Sequence, residues 1–194
     1  MKIVVTTIPA DQAFTDPVGL PVFLDQRPPR REAGRLDFRL GGTISRWLAD
    51  GAVDARSPSP TLFTPAGIAF PAIVICGGGN FSELSAPAIQ RCLGAITETL
   101  LRARAPRFSI AARDFRKALM PARDSAELIL RGLAHGAELA GVHEGHTVRV
   151  FWDDDEAELL VQELRRFRFS LPRCRDWEIA RAVEDAAWNP GASS

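Results

Sequence analysis

Residues 70–80, Phe-Pro-Ala-Ile-Val-Ile-Cys-Gly-Gly-Gly-Asn, restrict the fold of this chain more than any other stretch. Ile73, Val74 and Ile75 are apolar without alternation, the pattern of a strand covered on both faces. Such a strand belongs inside a sheet that carries helices on either side. Gly77, Gly78, Gly79 and Asn80 then stop it. A helical run follows, with Ser82 or Ser85 as its cap and Pro87 in its first turn. A buried strand that delivers the chain through glycines into a helix is half of a parallel crossover unit.

The same alternation recurs along the chain. Residues 2–8 (KIVVTTI) and 20–24 (LPVFL) read as strands, with Pro21 favouring a strand start or an edge. The basic stretch 25–35 reads as a loop. From Leu36 the pattern turns helical, because Leu40, Ile44, Trp47 and Leu48 share one face, and Gly51 suits the position after the last turn. Residues 53–60 are a loop and 61–67 a strand ending in a turn. The helix over 86–104 buries Ile89, Cys92, Leu93, Ile96 and Leu100. Residues 107–113 form a strand. Asp124 and Glu127 make a capping-box-like start for a helix that ends near Gly141. Residues 146–152 are a strand, 153–167 a helix, and 176–188 a last helix before a frayed tail. This order predicts a three-layer α/β/α fold around a mixed, mostly parallel sheet, with a domain over 1–175 and a C-terminal helix and tail over 176–194.

Composition sets limits on function. The 24 basic and 24 acidic residues cancel, which argues against bulk attraction to nucleic acid or an anionic membrane. All basic residues but Lys2 and Lys117 are arginine, a bias expected of a GC-rich, bacterial genome. Cys76, Cys92 and Cys174 have no metal-like spacing and read as core residues of a reducing, cytoplasmic compartment. The first strand lacks the form of a signal peptide, and no apolar run approaches the ~20 residues that span a bilayer.

Two ordered motifs carry a resemblance. In LDFRLGGTISRWLADG (36–51), Leu36, Asp37, Gly42, Ile44, Ser45, Leu48 and Gly51 match a pattern of the type LD…G.IS..L..G. Ile73, Val74, Ile75, Gly77 and Gly79 match the strand-to-glycine motif that follows it, and Leu84 with 86–104 matches the next helix. Over roughly residues 20–165 the chain resembles the N-terminal, non-catalytic domain of the leucine aminopeptidase family, whose fold is macro-domain-like. That family holds its two-metal site in a C-terminal domain with no counterpart in this sequence. The resemblance therefore implies no catalytic residue, no metal site and no cofactor. It implies an α/β module without peptidase activity of its own, acting through a protein partner or self-assembly. The alternative implied by the macro-domain likeness is a binder or hydrolase of ADP-ribose or a related nucleotide.

The best candidate ligand site is the glycine loop Gly77, Gly78, Gly79, Asn80 and Phe81, with Gly41 and Gly42 as further candidates for the same crevice. Glycines let backbone approach a ligand, and the amides of the following helix face an anion. A tight strand-to-helix turn asks for the same glycines. His143 and His146 are three apart across a glycine, whereas helical zinc pairs are four apart. The acidic run Asp153–Glu156 suits a helix N-terminus. Arginines cluster at 27–39, 102–123 and 165–175, the last with Phe167 and Phe169 between them, a weak nucleic-acid signature beside zero net charge. No nucleophile motif occurs.

Overall fold

The computed structural model describes residues 1–12, 16–64, 72–116, 121–142 and 144–182. Seven strands form one sheet: β1 (Lys2–Thr6), β2 (Val18–Val22), β3 (Thr61–Phe63), β4 (Ile73–Gly77), β5 (Arg107–Ile110), β6 (Thr147–Phe151) and β7 (Glu178–Arg181). Their order is β3-β4-β2-β5-β6-β1-β7, and every neighbouring pair is parallel except β3 with β4. Five α-helices among the described residues cover it: α1 (Arg31–Arg39), α2 (Thr43–Ala49), α3 (Ala86–Arg102), α4 (Ala122–Ala140) and α5 (Asp154–Phe167). The result is the expected α/β fold with a mixed, mostly parallel sheet, and it is macrodomain-like.

The side-chain period of β4 divides the core. Val74 and Cys76 join the cluster built with α3, α4 and α5, while Ile73 and Ile75 join the one built with α1 and α2. All five β4 residues are buried, as the uninterrupted apolar run requires. Cys76, Cys92 and Cys174 are free thiols in the core. Burial raises the Cys92 thiol well above its ordinary pKa and pushes that of Cys174 up to about 11. Among the described residues, no helix is long and apolar enough to cross a membrane.

Four local expectations are corrected. Pro21 lies in a central strand, not at a start or an edge. Val22 accepts from the Gly78 amide on the β4 side, so Pro21 faces β5, where pairing ended at Gly19. Its missing N–H therefore breaks no ladder bond. The helix expected from Leu36 is two helices. α1 begins inside the stretch expected to be a loop and ends at Leu40, and Gly41 and Gly42 follow at φ 61° and 77°. Leu40, Ile44 and Leu48 nevertheless stay in one core cluster. Asp37 explains the motif: its carboxylate accepts from the Ser45 amide (2.9 Å) and hydroxyl, fastening the start of α2 to α1. Asp124 does not cap α4, whose first residue is Ala122 after Pro121. Finally, residues 178–181 of the expected last helix form a strand beside β1, with Lys2 paired to Glu178 at 2.7 Å; 183–194 lie outside the described residues. Alternating burial at Trp177 and Ile179 favours that edge position over helical propensity. The outer edge is guarded: Arg165 donates to the Ile179 carbonyl (3.1 Å) and Arg168 to that of Trp177.

Candidate ligand-binding crevice

The carboxyl ends of β2 and β4 lie side by side, and the chain leaves β4 through Gly77–Asn80 into a short helical turn (Phe81–Glu83) and then α3. Two of these glycines are dictated by packing. A Cβ on Gly77 would lie 2.5 Å from the Ser57 carbonyl oxygen, and one on Gly78 would press into the Phe23 ring. Phe23 in turn meets Phe81 and Phe115 edge to face, with centroids 5.2 and 6.1 Å apart. Backbone of the 54–57 loop therefore comes against the glycine strand end where no side chain fits.

Four amides along this segment have partners within the protein. Gly78 donates to the Val22 carbonyl and Gly79 to that of Ala55, while Phe81 and Ser82 donate to the two carboxylate oxygens of Asp25 at 2.7 and 3.0 Å. The Ser82 and Phe81 amides hold the Asp25 carboxyl below the usual carboxylate range. Asp25 thus caps the short turn that precedes α3, and Ser82 is in that turn and not at the α3 N-cap. Ser85 sits at the α3 N-cap without a side-chain bond.

What remains open is a crevice of about 230 Å³ beside the loop, lined by Gly77, Gly78, Gly79 and Asn80, the start of α3, and the guanidinium-bearing side chains of Arg56 and Arg91. Both arginines are exposed, and among the described residues neither is paired with a carboxylate. Glu83 lines the rim and accepts from the Asn80 side chain at 3.1 Å. Phe81 packs against the core beside Phe23 and does not line the crevice. Gly41 and Gly42 do not line it either; they separate α1 from α2. Of the residues singled out from sequence, Gly77, Gly78, Gly79 and Asn80 line this crevice; Arg56 and Arg91, which line it too, differ in sequence in nothing from the other arginines.

A second charged group stands at the same edge of the sheet. Glu32 is fully buried, bonded to the Ala10 amide and paired with Arg113. Asp114 accepts from the Glu32 and Ala33 amides at 3.2 and 3.1 Å, serving the first turn of α1 from outside that helix. Burial pushes its carboxyl up to about 7, against the opposing pull of the Ala33 amide and Arg113. Arg116 joins Asp153 (3.0 Å) and Glu156. The acidic run at 153–156 is therefore an ion-pair partner as well as a helix start. His146 bonds the Ala105 carbonyl through Nδ1 at 2.8 Å, and His143 lies outside the described residues.

No protein-family model and no curated protein matches the sequence. Solved structures do. A mutant of the Oceanobacillus iheyensis macrodomain is 10% identical, with 86% of this chain and 93% of that chain covered at a TM-score of 0.64. The same macrodomain solved with ADP is 11% identical, covering 80% and 86% at 0.58. The macrodomain of Thermus aquaticus DarG is 10% identical over 77% of this chain and 97% of that one, at 0.58. A mutant tomato leucine aminopeptidase is 13% identical over 84% of this chain, at 0.61, but the match spans only 34% of the aminopeptidase. Macrodomains and the aminopeptidase are thus matched alike, and at such identities the likeness is one of fold: the chain has a macrodomain-like α/β architecture.

Proposed function

We propose that this chain is a binding module for ADP-ribose or a related nucleotide, holding its phosphates in the crevice beside Gly77–Gly79. The observation that carries this reading is the pair Arg56 and Arg91, set around an open crevice whose glycine wall admits close approach. Guanidinium groups form bidentate, charge-assisted bonds with phosphate oxygens. The Gly78, Gly79, Phe81 and Ser82 amides already have acceptors, so on this reading the two guanidinium groups carry most of the recognition. The macrodomain-like fold and the ADP held by the Oceanobacillus iheyensis macrodomain support the same ligand class. On this reading the chain is a binder: Asp25, Asp114, Asp153 and Glu156 are engaged as caps and ion-pair partners, and Glu83 is the carboxylate left on the crevice rim.

Titration calorimetry with ADP-ribose tests it. The wild-type protein is expected to bind, and Arg56→Ala and Arg91→Ala each to weaken binding about tenfold or more, as loss of a charged hydrogen-bond donor does. Absence of binding by the wild-type protein, or equal affinity in both variants, overturns the reading.

A further inference from the structure

A larger groove lies beyond the crevice, on the outer surface of α3 and α4. It has a volume of about 560 Å³ and is closed at one side by Leu171, Pro172 and Arg173, which follow α5. Its floor is aliphatic, from Pro87, Ala134, Leu171 and Pro172. Around that floor stand Arg91, Arg131 and Arg173, with Glu138 the one acidic residue of the lining. Glu138 pairs with Arg173 at 2.8 Å, and Arg131 reaches Glu127 at 2.8 Å while lying over the Phe167 ring. All four of these paired side chains are well exposed. Exposed pairs of this kind are worth at most about 1 kcal/mol, so an incoming carboxylate can exchange into them.

We propose that this groove binds an acidic peptide segment that carries an aliphatic anchor side chain. Charge complementarity selects the acid: three guanidiniums line the groove, two of them in weak exposed pairs with Glu127 and Glu138 and Arg91 in no carboxylate pair among the described residues. The floor selects the anchor, because proline, alanine and leucine side chains offer an apolar slot. The exposed His135 imidazole is the one aromatic ring of the lining, fewer than the successive rings on which a single-stranded nucleic acid stacks its bases. The groove does not depend on the nucleotide reading. It shares Arg91 with the crevice, so its own test leaves Arg91 untouched.

The test is fluorescence anisotropy with a labelled peptide of alternating Glu and Leu, titrated with the full chain at low salt. Binding is expected, weakening as salt rises. The double variant Arg131→Ala/Arg173→Ala is expected to lose about tenfold or more in affinity, with an unchanged thermal midpoint as the control on folding. A second variant, Leu171→Ser, is expected to weaken the Glu-Leu peptide while leaving a Glu-Ser peptide unchanged. The proposal is overturned if the wild-type protein ignores the peptide, if the double variant binds it equally, or if Glu-Ser binds as well as Glu-Leu. It is likewise overturned if labelled oligothymidine binds more tightly, or if a peptide of residues 183–194 of this chain displaces the probe better than unlabelled probe does.

Discussion

The two charged regions at the carboxyl edge of the sheet solve opposite problems. Around Glu32, Arg113 and Asp114 the charges are buried and bonded to one another or to backbone, tying the turn at Ala10, the start of α1 and the segment after β5 together. Around Gly77–Gly79 the backbone is what is satisfied, and the charges of Arg56 and Arg91 stay out in solvent. A buried ion pair is committed to structure, since removing one partner strands the other in a low dielectric. An exposed, unpaired guanidinium holds nothing in place and is free to meet a ligand. The difference separates structural arginines from those available to a ligand, a distinction that residue type alone cannot make.

The sharpest way to break this contrast is Glu32→Ala. It leaves Arg113 without its buried partner and the Ala10 amide without an acceptor. We expect a loss of about 3–5 kcal/mol in urea unfolding, against almost none for Arg56→Ala at the exposed crevice. Similar losses at both positions would erase the distinction.

Asp114 sharpens it through pH. Its carboxyl is raised to about 7 in the folded protein from an ordinary value of 3.8. Between those values the native state keeps a proton that the unfolded chain has released, so stability from this group falls as pH rises from about 4 to 7. The fall amounts to at most about 4 kcal/mol, from three pKa units at 1.36 each. Asp114→Asn is expected to remove that slope from unfolding curves taken across the range. An unchanged slope would assign the pH dependence elsewhere.

Within the glycine strand end the contrast repeats on a smaller scale. Gly77→Ala drives a methyl into the backbone of residues 54–57, which cannot move aside as a side chain can. About 2–3 kcal/mol should be lost, the range for overpacking. Gly79 has open space around it, and only its φ of 74° resists a side chain, so Gly79→Ala should cost about 1 kcal/mol. If thermal melts rank the two the other way, the loop is held by conformation and not by the close approach of 54–57.

The same local-versus-distant divide governs how much could be read from sequence. The β4 run, the α3 stripe and Gly51 were legible because burial on two faces, a helical period and a positive φ each leave a local mark. The break at Gly41 and Gly42 was masked by an apolar stripe that continues across it, since Leu40, Ile44 and Leu48 reach the same core from two helices. β7 was hidden because an edge strand is made by its neighbour: Lys2 and the β1 ladder decide it, and EIARAV alone favours helix. At the candidate crevice, the glycines mark themselves in their own sequence. Asp25, Arg56 and Arg91 do not, because they come beside the glycines only when β2, the 54–57 loop and α3 converge.

Asp25 offers the smallest and most discriminating change. Its exposed carboxylate occupies the Phe81 and Ser82 amides beside the crevice and, on the proposed reading, sets a negative charge near the phosphates of the ligand. Asp25→Ser removes that charge and frees two amides at the entrance to α3, where an anion is favoured. Hydrogen exchange at Phe81 and Ser82 should quicken, with little change in melting temperature because the core beneath is untouched. ADP-ribose affinity should rise roughly two- to fivefold, the scale of one screened helix-terminus charge interaction. Faster exchange with unchanged or weaker affinity would mean that the freed amides do not face the ligand. The phosphates would then lie wholly between Arg56 and Arg91.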